Sequence, residues 1–219
     1  MRYIRPMPPL PLPPPAPLPA EDAARHSALA NSRRAADLVN VLSREPADGT
    51  LDRVAGVLRA YGETEPLGLT GADLPELREA AAALRPVFAA DGVDAAAERL
   101  NALLAERTGP LRLTSHGGAS PWHPHVDADD DAPWARWFLA SSCLTLAVLL
   151  WERGRAPGGV CASAACEDVF VPLGSGRERR RYCSRRCATR ERVAAHRRAK
   201  DALRGEPDST APGTPNGPR

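Results

Sequence analysis

Four of the five cysteines in this 219-residue sequence lie close together in its last third. Cys161 and Cys166 form one pair, and sixteen residues separate that pair from Cys183 and Cys187. Two close pairs of thiolates are the usual donor set of a closed, tetrahedral structural zinc site. We therefore predict that the four cysteines bind one structural Zn²⁺ ion and leave no coordination position for a catalytic water.

The segment between the two pairs predicts how the cysteines are positioned. An apolar strand pattern at Val169–Leu173 precedes a turn at Gly174–Gly176 and a second strand that ends at Tyr182. A helix predicted for residues 184–204 begins at the second pair, which gives a treble-clef-like arrangement. Because this segment has few large apolar residues, zinc must supply much of its folding free energy. We expect zinc removal to unfold residues 161–204 and to spare the preceding domain.

The same segment concentrates positive charge. Twelve basic and five acidic residues between Cys161 and Arg204 give a net charge of +7, whereas the whole chain carries +2. Such clustering on a zinc module favours contact with DNA phosphates, and Arg186, Arg190 and Arg197 recur at helical spacing. A solvated basic face that binds no nucleic acid is the alternative. The residues predicted to contact nucleic acid are Arg180, Arg181, Arg185, Arg186, Arg190, Arg192, Arg197 and Arg198.

The rest of the chain predicts a helical domain. Aromatic residues make up only 5% of the sequence, which disfavours a fold rich in strands. Apolar periodicity predicts helices at residues 21–43, 51–61, 73–90, 93–107 and 132–153. A short hairpin is predicted at residues 111–126, around Gly117 and Gly118. The fold class is therefore mainly α, with a helical N-terminal domain, a short hairpin and a small C-terminal zinc module. The predicted divisions are a proline-rich disordered arm (1–20), a helical regulatory domain (21–156), the zinc module (157–204) and a disordered tail (205–219).

Three histidines could form a second site. His116, His123 and His125 lie in the predicted hairpin beside a run of aspartates, so a metal-dependent enzyme centred on them is one alternative. We expect instead that they are surface hairpin residues. No nucleophile motif, glycine-rich phosphate loop or paired-carboxylate motif accompanies them, and we expect no enzymatic activity. Cys143 lies in the most apolar predicted helix and is expected to be a small core residue.

The predicted location is the cytoplasm. Nine prolines in residues 6–19 interrupt what could otherwise pass for a signal peptide. The apolar run at residues 137–151 is shorter than the ~20 residues that a membrane span requires, so we predict a buried core helix and no membrane association. Cytoplasmic thiols stay reduced, which favours a metal site over disulfides.

At the cysteines the chain resembles the CGNR zinc-finger family. The resemblance rests on the first cysteine pair, an aromatic at Phe170, the step Arg180-Arg181-Tyr182-Cys183-Ser184, and a basic helix that contains His196. The family's Cys-Gly-Asn-Arg signature reads Cys187-Ala188-Thr189-Arg190 here, so its cysteine and arginine are kept. An Asp-Leu-Val-Asn step at residues 37–40 gives a looser likeness in the helical domain.

The resemblance implies a transcription regulator of a family described as stress-induced. It also implies that the helical domain has a sensing or regulatory role, with a small-molecule effector as a candidate ligand. The alternative is a zinc finger that docks a protein partner and binds no DNA. The sequence leaves open whether the protein is a homodimer.

Overall fold

A computed structural model describes residues 27–44, 48–173 and 180–205, and gives the backbone alone for residues 202–205. Within these ranges the chain forms six α-helices and two short antiparallel sheets, as the mainly α prediction requires. The predicted arm at residues 1–20, the tail beyond Gly205 and the turn at Gly174–Gly176 lie outside the described residues.

The elements follow the predicted order. The helices are α1 (Ala28–Leu42), α2 (Thr50–Ala60), α3 (Leu74–Phe88), α4 (Val93–Arg107), α5 (Trp134–Arg153) and α6 (Arg185–Gly205). The strands are β1 (Arg112–Thr114), β2 (His123–His125), β3 (Gly159–Val160) and β4 (Val169–Phe170). β1 pairs with β2, which confirms the predicted hairpin, and β3 pairs with β4.

Asp73 precedes the first residue of α3, and its side chain accepts no hydrogen bond from the N–H groups of that helix. Its carboxylate instead accepts hydrogen bonds from the backbone N–H of Thr70 at 2.7 Å and from the Thr70 hydroxyl at 2.8 Å, which closes the short 3-10 turn Gly71–Asp73. Pro86 lies inside α3, and the helix continues for two residues beyond it.

The apolar helix α5 lies at the centre of the core. It packs against α1, α3 and α4, and it buries Phe138, Leu146 and Leu149 almost completely. Among the described residues it is the one helix whose length and composition would allow it to cross a membrane, and 39% of its most apolar window is buried inside the protein. Its packing against three other helices supports the prediction of a core helix.

The strand pairing in the zinc module differs from the prediction. β4 pairs with β3, which precedes Cys161, and residues 180–182 are not part of a strand. The second strand expected to end at Tyr182 is therefore absent from the described residues. The segment instead contacts the chain beside the first cysteine pair, because the Ala162 N–H donates to the Arg181 carbonyl at 2.8 Å. The Arg180 guanidinium donates to the carbonyls of Tyr182 and Cys183, at 2.7 and 2.5 Å.

β4 and the residue after it belong to the core of the helical domain. Val169 and Val171 are 1% and 5% exposed, and they join the cluster that contains Phe88 and Leu146. The chain between the helical domain and the first cysteine is also packed closely. A Cβ atom at Gly158 would lie 2.6 Å from the Phe88 ring and 2.6 Å from the Phe170 carbonyl oxygen. The predicted domain boundary at residue 157 therefore lies in a segment that packs against α3.

Candidate metal centre

The sulfur atoms of the four predicted ligands converge. The Sγ atoms of Cys161, Cys166, Cys183 and Cys187 all lie within 4.8 Å of one another, and none of these cysteines is in a disulfide. The Sγ atom of Cys183 is 3.7 Å from that of Cys166 and 3.7 Å from that of Cys187. Tetrahedral coordination at a Zn–S distance of ~2.3 Å separates sulfur atoms by about 3.8 Å. The donor set and its spacing therefore fit one structural zinc ion.

Backbone turns hold each cysteine pair. The N–H of Cys161 donates to the carbonyl of Asp168 beside the β3–β4 sheet, and the N–H of Cys166 closes a turn onto Ser163. The N–H of Cys187 donates to the Ser184 hydroxyl at 3.2 Å, which is the side-chain capping that begins a helix. Metal coordination at the second pair thus fixes the start of α6.

Side chains of α6 contact the loop that carries the first pair. The Glu191 carboxylate accepts hydrogen bonds from the Ser163 hydroxyl at 2.8 Å and from the Ala164 N–H at 3.2 Å. The Arg190 guanidinium donates to the Ala165 carbonyl at 3.2 Å. Sequence reasoning assigned no such role to Glu191, because nothing local indicates a partner 27 residues away.

Two of the four thiols hold their protons tightly and must lose them when zinc binds. Burial raises the pKa of Cys166 to about 11 and raises the pKa of Cys183 well above its usual range. A hydrogen bond with the Ser184 hydroxyl lowers the pKa of Cys187. Since zinc binds the thiolate, its binding must displace protons from Cys166 and Cys183 at neutral pH. Zinc affinity is therefore expected to rise with pH.

The eight predicted nucleic-acid contacts are all exposed. Among the described residues none of the eight forms an ion pair with a carboxylate. They differ in their local contacts. The Arg180 guanidinium donates to the carbonyls of Tyr182 and Cys183 and lies 5.6 Å from the centre of the Phe170 ring. The Arg190 guanidinium donates to the Ala165 carbonyl. Arg185 and Arg192 make no hydrogen bond to the described residues, and they lie seven positions apart on α6.

A cavity of about 690 Å³ lies between α1 and the zinc module. Arg33 and Arg44 of α1 and its following turn line one side, and Arg186 lines the other. Arg44 also forms an ion pair with Asp168 at 3.1 Å, between the two cysteine pairs. Three carboxylates and three of the zinc-ligand cysteines also line it (Asp37, Glu167 and Asp168; Cys166, Cys183 and Cys187). The cavity is therefore mixed in charge, reaches the metal centre and includes residues from both predicted domains.

The remaining candidate residues lie in the helical domain. His116, His123 and His125 come together at the hairpin, with an imidazole nitrogen of each within 4.8 Å of the others. Cys143 is fully buried in α5, where burial raises the pKa of its thiol to about 12. This is the environment of an unreactive core cysteine, as the sequence predicts.

The comparisons with known proteins agree with this geometry. No curated protein matches the chain. Residues 159–200 match the family described as the CGNR zinc finger, and this range includes all four clustered cysteines and most of α6. The chain therefore contains a CGNR zinc finger over residues 159–200.

Proposed function

We propose that this protein is a cytoplasmic, DNA-binding transcription regulator in which the zinc finger presents α6 to the phosphate backbone. The observation that carries the proposal is the set of eight exposed arginines around the metal centre, none paired with a carboxylate among the described residues. Unpaired guanidinium groups neutralise phosphates and release counterions, which is the main source of affinity for DNA. A regulator of this kind needs no enzymatic activity.

The zinc centre supports this role by making α6 rigid at its base. Cys187 lies in the first turn of α6, and Cys183 precedes that turn. Coordination to one ion ties both residues to the first cysteine pair, so the arginines extend from a fixed helix. Side chains on a fixed support lose less conformational freedom when they bind.

The contacts on α6 suggest which arginines meet DNA. Arg190 is engaged with the Ala165 carbonyl, and Arg186 lines the cavity beside α1. Arg185 and Arg192 share the exposed side of the helix, because residues seven apart in a helix lie on the same face. The Glu191 carboxylate accepts hydrogen bonds from the loop that carries the first cysteine pair, so it does not neutralise the positive charge of this face. We assign the principal phosphate contacts to Arg185 and Arg192.

The helical domain is proposed as the regulatory part, responding to stress or to a small-molecule effector. The cavity of about 690 Å³ supports this assignment, because a ligand within it would contact both α1 and the zinc finger. Binding of such a ligand would alter the support of the helix that is proposed to contact DNA.

The proposal is tested by fluorescence anisotropy with a labelled duplex of random sequence. Zinc-loaded, full-length protein is titrated at about 50 mM salt and then at rising salt. The expected result is binding at low salt that weakens steadily as salt increases. Absence of binding at low salt would contradict the proposal and favour a zinc finger that docks a protein partner. Metal content measured on the same sample confirms that the finger is loaded.

A further inference from the structure

We propose that His116, His123 and His125 bind a second Zn²⁺ ion, at a site separate from the four cysteines. The three side chains lie at the β1–β2 hairpin and open onto a cavity of about 600 Å³. This site makes no use of the zinc finger, and it would give the helical domain a metal centre of its own.

The first argument is the spacing of the donor atoms. The Nε2 atom of His123 is 3.2 Å from the Nε2 atom of His116 and 3.1 Å from that of His125. Tetrahedral zinc at a Zn–N distance of ~2.0–2.1 Å separates its nitrogen ligands by about 3.3 Å. Two of the three separations thus match those that one ion requires, and a ring nitrogen of each histidine lies within 4.8 Å of the others.

The second argument is the proton on each ring. In each imidazole the Nδ1 atom faces an oxygen acceptor: Asp130 at 3.4 Å from His116, the Pro121 carbonyl at 2.7 Å from His123, and Asp127 at 2.9 Å from His125. A neutral imidazole that donates through Nδ1 carries its lone pair on Nε2. Donation through each Nδ1 atom would leave the three lone pairs on Nε2 atoms that face one another, an arrangement that a shared cation would stabilise.

The third argument is that hydrogen bonds hold the carboxylates of Asp127 and Asp130 in place. Arg112 donates to the carboxylates of Asp127 at 2.6 Å and Asp130 at 2.7 Å, and the Thr114 hydroxyl donates to Asp130 at 2.9 Å. Asp127 is itself buried. Carboxylates that accept from the second nitrogen of a metal-binding histidine fix its ring and its tautomer. The network around these histidines has that form.

The backbone also brings the three rings to one side. His123 and His125 are separated by Pro124 on β2, so they lie on the same face of the strand, opposite Thr114 and Arg112 in the register. His116 has a φ of +48°, a conformation that non-glycine residues seldom adopt. Residues held in this way cluster at functional sites.

Three protein ligands leave a coordination position open. Structural zinc sites have four protein ligands, whereas sites that bind water or an exogenous ligand have three. The cavity beside the histidines is lined on other sides by Arg34, Glu63 and Trp137. Arg34 is held by Glu63 at 3.0 Å and stacks over the Trp137 ring. The open position would therefore face a polar cavity, where it can take water or a small anion.

The test uses full-length protein whose affinity tag has been removed. The protein is saturated with Zn²⁺, dialysed and analysed for metal per chain. Wild type is expected to hold two ions, and His123→Ala and His123→Gln are each expected to hold one. His196→Ala removes an exposed histidine of α6 and serves as the matched control, with two ions retained. One ion in wild type, or two in the His123 variants, would overturn the proposal.

Substitution with Co²⁺ shows which site is affected. Thiolate ligands give intense charge-transfer absorption, whereas imidazole ligands do not, so the two sites report separately. The His123 variants are expected to keep the thiolate signal, which also shows that they are folded, and to lose the imidazole component of the visible bands. Azide is then added as a probe of the open position. It is expected to shift the visible bands of wild type, and an unchanged wild-type spectrum would overturn the assignment of an open position.

Discussion

The side-chain amide of Asn40 forms two hydrogen bonds with the backbone of Val169, which lies 129 residues further along the chain. Its Nδ2 group donates to the Val169 carbonyl at 2.9 Å, and its Oδ1 atom accepts from the Val169 N–H at 2.8 Å. One side chain of α1 thus satisfies both backbone groups of a residue that is 1% exposed. This contact joins the zinc finger to the helical domain.

Replacing Asn40 should therefore destabilise the whole protein. Asn40→Ala leaves two backbone groups of Val169 without these partners, each at a cost of about 1–3 kcal/mol. We expect the free energy of unfolding in urea to fall by about 2–4 kcal/mol. Asn101→Ala, at an exposed position on α4, should change it by less than ~0.5 kcal/mol. Equal stability of the two variants would show that the Asn40 contact contributes little.

Alanine substitutions at Gly158 and Gly56 should change the free energy of unfolding in opposite directions. An added methyl group at Gly158 would collide with the Phe88 ring and the Phe170 carbonyl, both 2.6 Å away. Gly56 lies within α2 and has nothing within 4 Å of the added atom. Gly158→Ala should lower the free energy of unfolding by about 1–3 kcal/mol. Gly56→Ala should raise it by about 0.5–1 kcal/mol, because alanine favours the helix. Thermal melts of both variants check the pair, and a stabilised Gly158→Ala would refute the close packing.

Chelation of the zinc-finger ion should affect α6 more than β4. The start of α6 depends on Cys183 and Cys187, whereas β4 is buried in the helical core and held by Asn40. Hydrogen exchange after chelation should show lost protection in α6 and retained protection at the Val169 amide. Simultaneous loss at Val169 would mean that β4 folds only with the metal. This refines the expectation that residues 161–204 unfold as one unit.

Local patterns in the sequence predicted the helices and the zinc ligands well. Apolar periodicity and turn residues gave the range 93–107 for α4, and the spacing of the cysteines predicted the cluster. These predictions are correct because helix formation and the pairing of the cysteines depend on residues that are close together in the chain.

Contacts between distant segments were not predictable in the same way. Nothing near Asn40 in the sequence indicates that it binds β4. Nothing near Arg180 indicates that its guanidinium donates to the carbonyls of Tyr182 and Cys183. The convergence of His116 with His123 depends on the register of β1 and β2 and on one unusual backbone conformation. These contacts depend on the register of strand pairing and on tertiary hydrogen bonds, which no local pattern in the sequence predicts.

The central claim is that arginines on α6 contact DNA phosphates, and the salt dependence of binding tests it most directly. The variant Arg185→Ala/Arg192→Ala removes two exposed arginines that make no hydrogen bond to the described residues. The double variant Arg107→Ala/Arg136→Ala removes two exposed arginines of the helical domain and is the matched control. Both are compared with wild type as zinc-loaded protein on the same random duplex.

The slope of log K against log salt is the quantity measured. Each phosphate contact contributes close to one unit, so the Arg185/Arg192 variant should bind more weakly with a slope that is shallower by about two units. The control should keep the wild-type slope, and both variants should keep the zinc of the finger. A wild-type slope in the Arg185/Arg192 variant would contradict the account, because DNA would then be bound elsewhere.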